Sequence, residues 1–94
     1  MSEQSQEPTP EQLIDAVKQM KVADLLLSTA ATLAQLGFAK LDEATRDLEQ
    51  ARLAIEGMKA VLDTLEGAVP QEVLRDFHQV VANLQLAYAS AAGE

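Results

Sequence analysis

Through the middle of the chain, apolar residues recur at alternating spacings of three and four: Leu41, Ala44, Leu48, Ala51, Ile55, Met58, Leu62 and Leu65. That period draws one continuous stripe along a helix. The pattern predicts a helix over about 43–66, with Asp42 or Asp47 as N-cap and Gly67 as its stop. Val73, Phe77, Val80, Leu84, Ala87 and Ala91 repeat the spacing after Pro70, flanked by Leu74, Val81 and Tyr88, which predicts a further helix over about 70–91. No segment alternates with period two, and alanine and leucine dominate over β-branched and aromatic residues, so strands are not expected.

The N-terminal third reads differently. Thr9-Pro10-Glu11-Gln12 is a helix start, with Thr9 as N-cap, Pro10 at the first helical position and Gln12 placed to close a capping box. Gly37 is the expected stop, giving a helix over about 10–36. At about 100° per residue, Val22, Leu25, Leu26, Thr29, Leu33 and Leu36 fall on one side, with Ala23, Leu27, Ala30 and Ala34 next to it. Only Lys21, Asp24, Ser28 and Gln35 form a polar wedge, so the apolar arc spans roughly 220°, about twice what one neighbour covers. Such a helix needs burial on two sides. Leu13, Val17 and Met20 form another stripe that is out of phase with this face, so a kink or a separate helix is expected near residues 20 to 22.

These segments predict an all-α fold: a three-helix antiparallel bundle, or a helical hairpin plus an N-terminal helix, completed by homodimerisation. Residues 1 to 8 hold no apolar side chain after Met1 and are expected to form a disordered acidic tail ahead of a single helical domain over 9–92. A chain of 94 residues buries a small share of its surface, and with no cysteine it has neither disulfides nor thiolate metal ligands to supplement the core. A second copy is the economical source of burial. The expected interface is Val22, Leu25, Leu26, Thr29, Leu33 and Leu36.

Charge and composition then narrow the function. Seven basic against fifteen acidic residues give a net charge of −8, which repels phosphate backbones and anionic headgroups. Phe38, Phe77 and Tyr88 are the only rings and do not interleave with basic residues, so nucleic acid is not an expected partner. The uncharged stretch at residues 25 to 39 carries Ser28, Thr29, Thr32 and Gln35 and falls short of the roughly 20 apolar residues of a membrane span. An interfacial helix would need Lys and Arg on its polar face, which offers mainly Lys21 and Asp24, so no membrane contact is expected. The first ten residues have neither a basic region nor an apolar run, so no signal peptide is read there, and the expected location is cytoplasmic.

The residues that carry chemistry elsewhere form no constellation. His78 is the sole histidine and has no triad or ligand spacing around it, which reads as the rim of a core face. Asp42, Glu43, Asp47, Glu49, Glu56, Asp63 and Glu66 lie off the apolar stripe without the Glu-x-x-His pairs of a bundle metal site, and read as a solvated face with pairs such as Asp42–Arg46 and Glu49–Arg52. The four glycines stand apart, so no phosphate loop is formed, and Ser28 and Ser90 lack a base at motif spacing. Gly57, inside a helix at a cost of about 1 kcal/mol relative to alanine, marks either a tolerant surface position or a close helix crossing. No catalytic residue, cofactor or metal is expected.

Three pieces of the chain resemble a bacterial family known as domain of unknown function 1844: VADLLLSTAATLAQLG at 22 to 37, DLEQARLAIEGMKAVLDTLEG at 47 to 67, and LQLAYAS at 84 to 90. The matching positions are Leu36 and Gly37, then Asp47, Leu48, Ala51, Arg52, Ile55 and Glu56, then Leu84, Gln85 and Tyr88. Ala68 and Val69 depart from the Asn-Leu-Thr that commonly follows the glycine in that family, and Gln85 stands where arginine is frequent. The resemblance implies a small helical bacterial protein and supplies no activity.

The expected function is therefore a non-catalytic, homo-oligomeric protein-interaction module or adaptor, whose partners are itself and, in the adaptor role, another protein. Alternatives are a small-molecule-binding bundle using His78 and Tyr88, or a secretion-associated helical chaperone, although the chain lacks the tryptophan of the familiar secreted hairpins.

Overall fold

The computed structural model describes Glu7 and residues 9 to 94, and among these it is all-helical. Four α-helices follow in order: α1 (Pro10–Gln19), α2 (Val22–Leu41), α3 (Leu48–Thr64) and α4 (Gln71–Ala92), with a single 3₁₀ turn at Glu43–Thr45. The expected acidic tail lies, Glu7 apart, outside the described residues.

The stripe on α3 and the face of α4 form the core with the inner side of α2. Met58, Leu62, Leu65, Leu74 and Leu84 are its largest fully buried side chains, and Ala30, Leu41, Ala51, Ile55, Val81 and Ala91 complete it. Along α4 the buried line is Leu74, Val81, Leu84 and Ala91, whereas Val73, Phe77, Val80 and Ala87 are only partly buried. The face is thus rotated towards the residues expected on its flank. Ala44, expected in the α3 stripe, is exposed in the 3₁₀ turn.

Both aspartates proposed as the α3 cap do cap, but different elements. Asp42 accepts from the Ala44 amide at 3.2 Å and opens the 3₁₀ turn; Asp47 accepts from the Gln50 amide at 3.2 Å and opens α3. Gly67, at φ 81°, is the left-handed residue after α3, as its place in the chain predicts. Pro70 is the N-cap of α4, one position before the first helical residue.

Two expectations about the first helix are corrected. The helix does not run from 10 to 36: Met20 and Lys21 are extended (ψ 141° and 133°), and they separate α1 from α2 where the two apolar stripes fall out of phase. Nor does Gly37 stop the helix. Gly37 is buried in the interior of α2, where an added Cβ would stand 3.0 Å from Leu84 Cδ2 and 3.6 Å from Ala54 Cβ. It is a site of close approach, not of termination.

The real end of α2 is built from the residues after it, which satisfy the otherwise unpaired carbonyls of a helix C-terminus. The Asp42 amide donates to Phe38 and Ala39, the Thr45 hydroxyl donates to Ala39, and the Asp47 amide donates to Lys40 at 2.8 Å. Arg46 donates to the Leu41 carbonyl through Nε at 3.3 Å and Nη2 at 3.1 Å. No glycine is needed. Arg46 also pairs with Glu94, which ties this corner to the end of α4. The expected Asp42–Arg46 pair is therefore replaced, and the ion pair found along α3 is Glu56–Lys59 at 3.7 Å.

α1 stands apart from all of this. Its capping box forms as read, with Thr9 Oγ1 accepting from the Gln12 amide at 3.1 Å and the Thr9 amide donating to Gln12 Oε1 at 2.9 Å. Yet α1 buries no residue and packs against none of the other helices, whereas α2, α3 and α4 all pack on one another. The radius of gyration, 17.1 Å against about 12 Å for a compact chain of this length, reflects that separation.

Candidate functional site

What the fold leaves uncovered is the outer side of α2. Ala30, Gly37 and Leu41 face the core, and Ala23, Leu26, Leu27, Leu33 and Ala34 pack against it while remaining partly exposed. Of the six residues expected at an interface, Val22, Leu25 and Leu36 are exposed at 71%, 50% and 48%, and Leu26, Thr29 and Leu33 are half-buried. The structure thus spreads them from the core edge to open solvent along one helix.

Two shallow depressions run along this side and share Leu33. One, of about 290 Å³, is lined by Leu25, Ser28, Thr29, Thr32 and Leu33; the other, of about 150 Å³, by Leu33, Leu36, Lys40, Gln50, Leu53 and Ala54. The floor is less polar than its composition suggests. Thr29 donates its hydroxyl to the Leu25 carbonyl at 2.9 Å, and Thr32 donates to Ser28 at 3.1 Å, so both donors are spent within the helix. Lys40 is the single charged residue in the two walls.

Two contributors escaped the sequence reading. Leu53 lies off the α3 stripe, is 63% exposed, and forms the far wall of the second depression. A leucine on an otherwise charged helix face was the available signal. The second is Ile14, which joins Leu13, Val17 and the stem of Lys18 in an apolar depression of about 250 Å³ on α1. Leu13, Ile14, Val17 and Met20 are each half or more exposed. Gly57 is also clarified: an added Cβ would stand 3.3 Å from Leu33 Cδ1, which makes it a point of close α2–α3 approach.

Continuation through Gly37 makes α2 a 20-residue helix, longer than the uncharged stretch from which the chain was judged too short to span a bilayer. With a mean hydropathy of 1.4 over its best window, it is the one helix among the described residues long and apolar enough to cross a membrane. Only 11% of that window is fully buried; Leu26, Leu27 and Leu33 are partly covered by the core, and Val22, Leu25 and Leu36 stay about half or more exposed.

The chemistry-bearing residues are not brought together. His78 Nε2 lies 3.9 Å from Glu66 Oε2, with both side chains about half exposed. Tyr88 lines a separate depression of about 220 Å³ with Arg52, Ile55, Glu56 and Gln85, and His78 is not among its walls. Ten positions along one helix separate the two by about 15 Å. Among the described residues no three His, Asp or Glu side chains converge as metal ligands. No protein-family model matches the chain, and comparisons with curated proteins and with solved structures return no match.

Proposed function

We propose that this protein is a non-catalytic, homo-oligomeric helical interaction module, cytoplasmic and without a cofactor. In this reading α2, α3 and α4 form an antiparallel bundle completed by homodimerisation through the outer side of α2, and the likeness to domain of unknown function 1844 is part of the same proposal. Val22, Leu25, Leu26, Thr29, Leu33 and Leu36 are its interface residues. The observation that carries it is a 20-residue apolar helix with one side on the core and the other bare. Exposed apolar surface of this extent marks association. The charge pattern agrees, because residues 25 to 39 are free of charge in a chain of net charge −8, and like-charged copies approach with least repulsion there.

Sedimentation velocity at low micromolar concentration tests the reading. The expected result is a dimer for the wild type and a folded monomer for Leu36→Asp, whose side chain is 48% exposed and outside the core. A wild type that stays monomeric overturns it, and a monomer that floats with phosphatidylcholine vesicles assigns the face to lipid instead.

A further inference from the structure

Among the described residues, two apolar surfaces lack a partner, and their dimensions match. α1 presents Leu13, Ile14, Val17 and Met20 along a helix of ten residues, about 15 Å long. The trough on α2 and α3 runs from Leu25 to Leu36, eleven positions or about 16 Å, with Leu53 as its outer wall. Helix-in-groove docking is the ordinary way such a pair of surfaces is satisfied.

We infer that α1 is an exchanged arm: in a dimer of this chain, the α1 helix of each copy lies in the α2–α3 trough of the other, with Leu13, Ile14 and Val17 against Leu25, Leu33, Leu36 and Leu53. The inference rests on the dimer proposed above and names the segment that fills its interface.

Reach decides between the arm's own body and the second copy. Only Met20 and Lys21 separate α1 from α2. Folded back on its own chain, α1 starts at the N-terminal end of α2, and its first turn comes level with about residues 29 to 32. Leu36, Lys40 and Leu53 stay bare in that arrangement. A second copy places α1 without that limit and covers the whole trough. A short hinge that keeps an element from covering the whole of its own trough favours exchange between copies.

Area and charge support the same occupant. Leu13, Ile14, Val17, Met20, Val22, Leu25, Leu36 and Leu53 each expose about half or more of their surface. At roughly 60 Å² of residual apolar area each, both copies together would bury about 1000 Å², the apolar share of a standard interface of about 1500 Å². Lys40, the one charge in the trough, is opposite in sign to the chain's net charge.

The absence of cysteine makes the test direct. Full-length chains carrying Val17→Cys alone and Leu53→Cys alone, distinguished by tag, are mixed and oxidised. The expected product is a mixed disulfide joining the two chains, and in the Val17→Cys/Leu53→Cys double variant it is dimer-sized. In parallel, Leu13→Asp/Val17→Asp should raise the dimer dissociation constant at least about 100-fold while leaving the helical signal and urea midpoint of the monomer in place, since α1 buries nothing. A dimer that survives that double substitution, with no disulfide between positions 17 and 53, overturns the arm and leaves the proposed function standing. A double variant that closes only within one chain overturns the exchange. A monomeric wild type overturns both.

Discussion

The inner and outer sides of α2 are made from nearly the same residue types, and they do opposite things. The inner side, with Ala30, Gly37 and Leu41, is closed against α3 and α4 so tightly that a glycine is needed where Leu84 approaches. The outer side, with Val22, Leu25 and Leu36, stays about half or more exposed. Hydrophobicity alone does not say which side is core. What separates the sides is what stands opposite: Gly37 lets Leu84 of α4 close in on the inner side, while Val22, Leu25 and Leu36 remain open to solvent. The comparison also bears on α1, a strongly amphipathic helix that behaves like the outer side and not the inner.

The largest effect that tests this contrast is a pair of leucine truncations two residues apart on α4. Leu84 is fully buried and Leu86 is 72% exposed. Leu84→Ala should cost about 2–5 kcal/mol in urea unfolding through lost burial and the cavity left behind. Leu86→Ala should stay within about 0.5 kcal/mol. Equal costs would mean that α4 is rotated from the face assigned here.

Next in size are the two helical glycines, whose neighbours differ in freedom. A side chain at Gly37 meets Leu84, which has no room to withdraw, so Gly37→Val should destabilise by about 1–3 kcal/mol. At Gly57 the neighbour is Leu33, half-buried at the edge of the trough and able to turn aside. Gly57→Ala should therefore gain up to about 1 kcal/mol from helix propensity. Thermal unfolding of both variants checks the opposite signs, and a loss at Gly57 would show that Leu33 is held as firmly as the core.

These same positions show how far the chain can be read without its structure. The stripe from Ala51 to Leu65 was legible because α3 has one covered side and period and burial coincide. On α4 the pattern was broad enough to admit two neighbouring centres, and only packing chose Leu74, Val81 and Leu84. Gly37 misled because glycine after a leucine is a common helix end, whereas here it answers to Leu84, 47 positions away, and the true end depends on Thr45, Arg46 and Asp47 reaching back to α2. The break at Met20 and Lys21 was visible as a change of phase. That α1 then packs on nothing in its own chain was not, since a stripe reports that a surface is apolar and not what covers it. For the candidate site, the α2 residues were legible for the same reason as the helix, but Leu53 joins them only through the close α2–α3 approach at Gly57.

The smallest expected effect separates α1 from the body most cleanly. A helix of ten residues is marginal by itself, and α1 relies on the reciprocal bonds between Thr9 and Gln12 to hold its first turn. Thr9→Ala removes the cap and should cost about 1 kcal/mol of α1 helicity. Because α1 packs against none of the other helices, the cost does not reach them. At concentrations low enough to keep the chain monomeric, the urea midpoint should be unchanged, while hydrogen exchange at residues 13 to 17 should quicken about fivefold. At dimer-forming concentrations the same loss falls on association, since an arm must be helical to dock, and the dissociation constant should rise by about fivefold. A drop in monomer stability approaching 1 kcal/mol would make α1 part of the core, and would erase the distinction between the covered and uncovered faces of this protein.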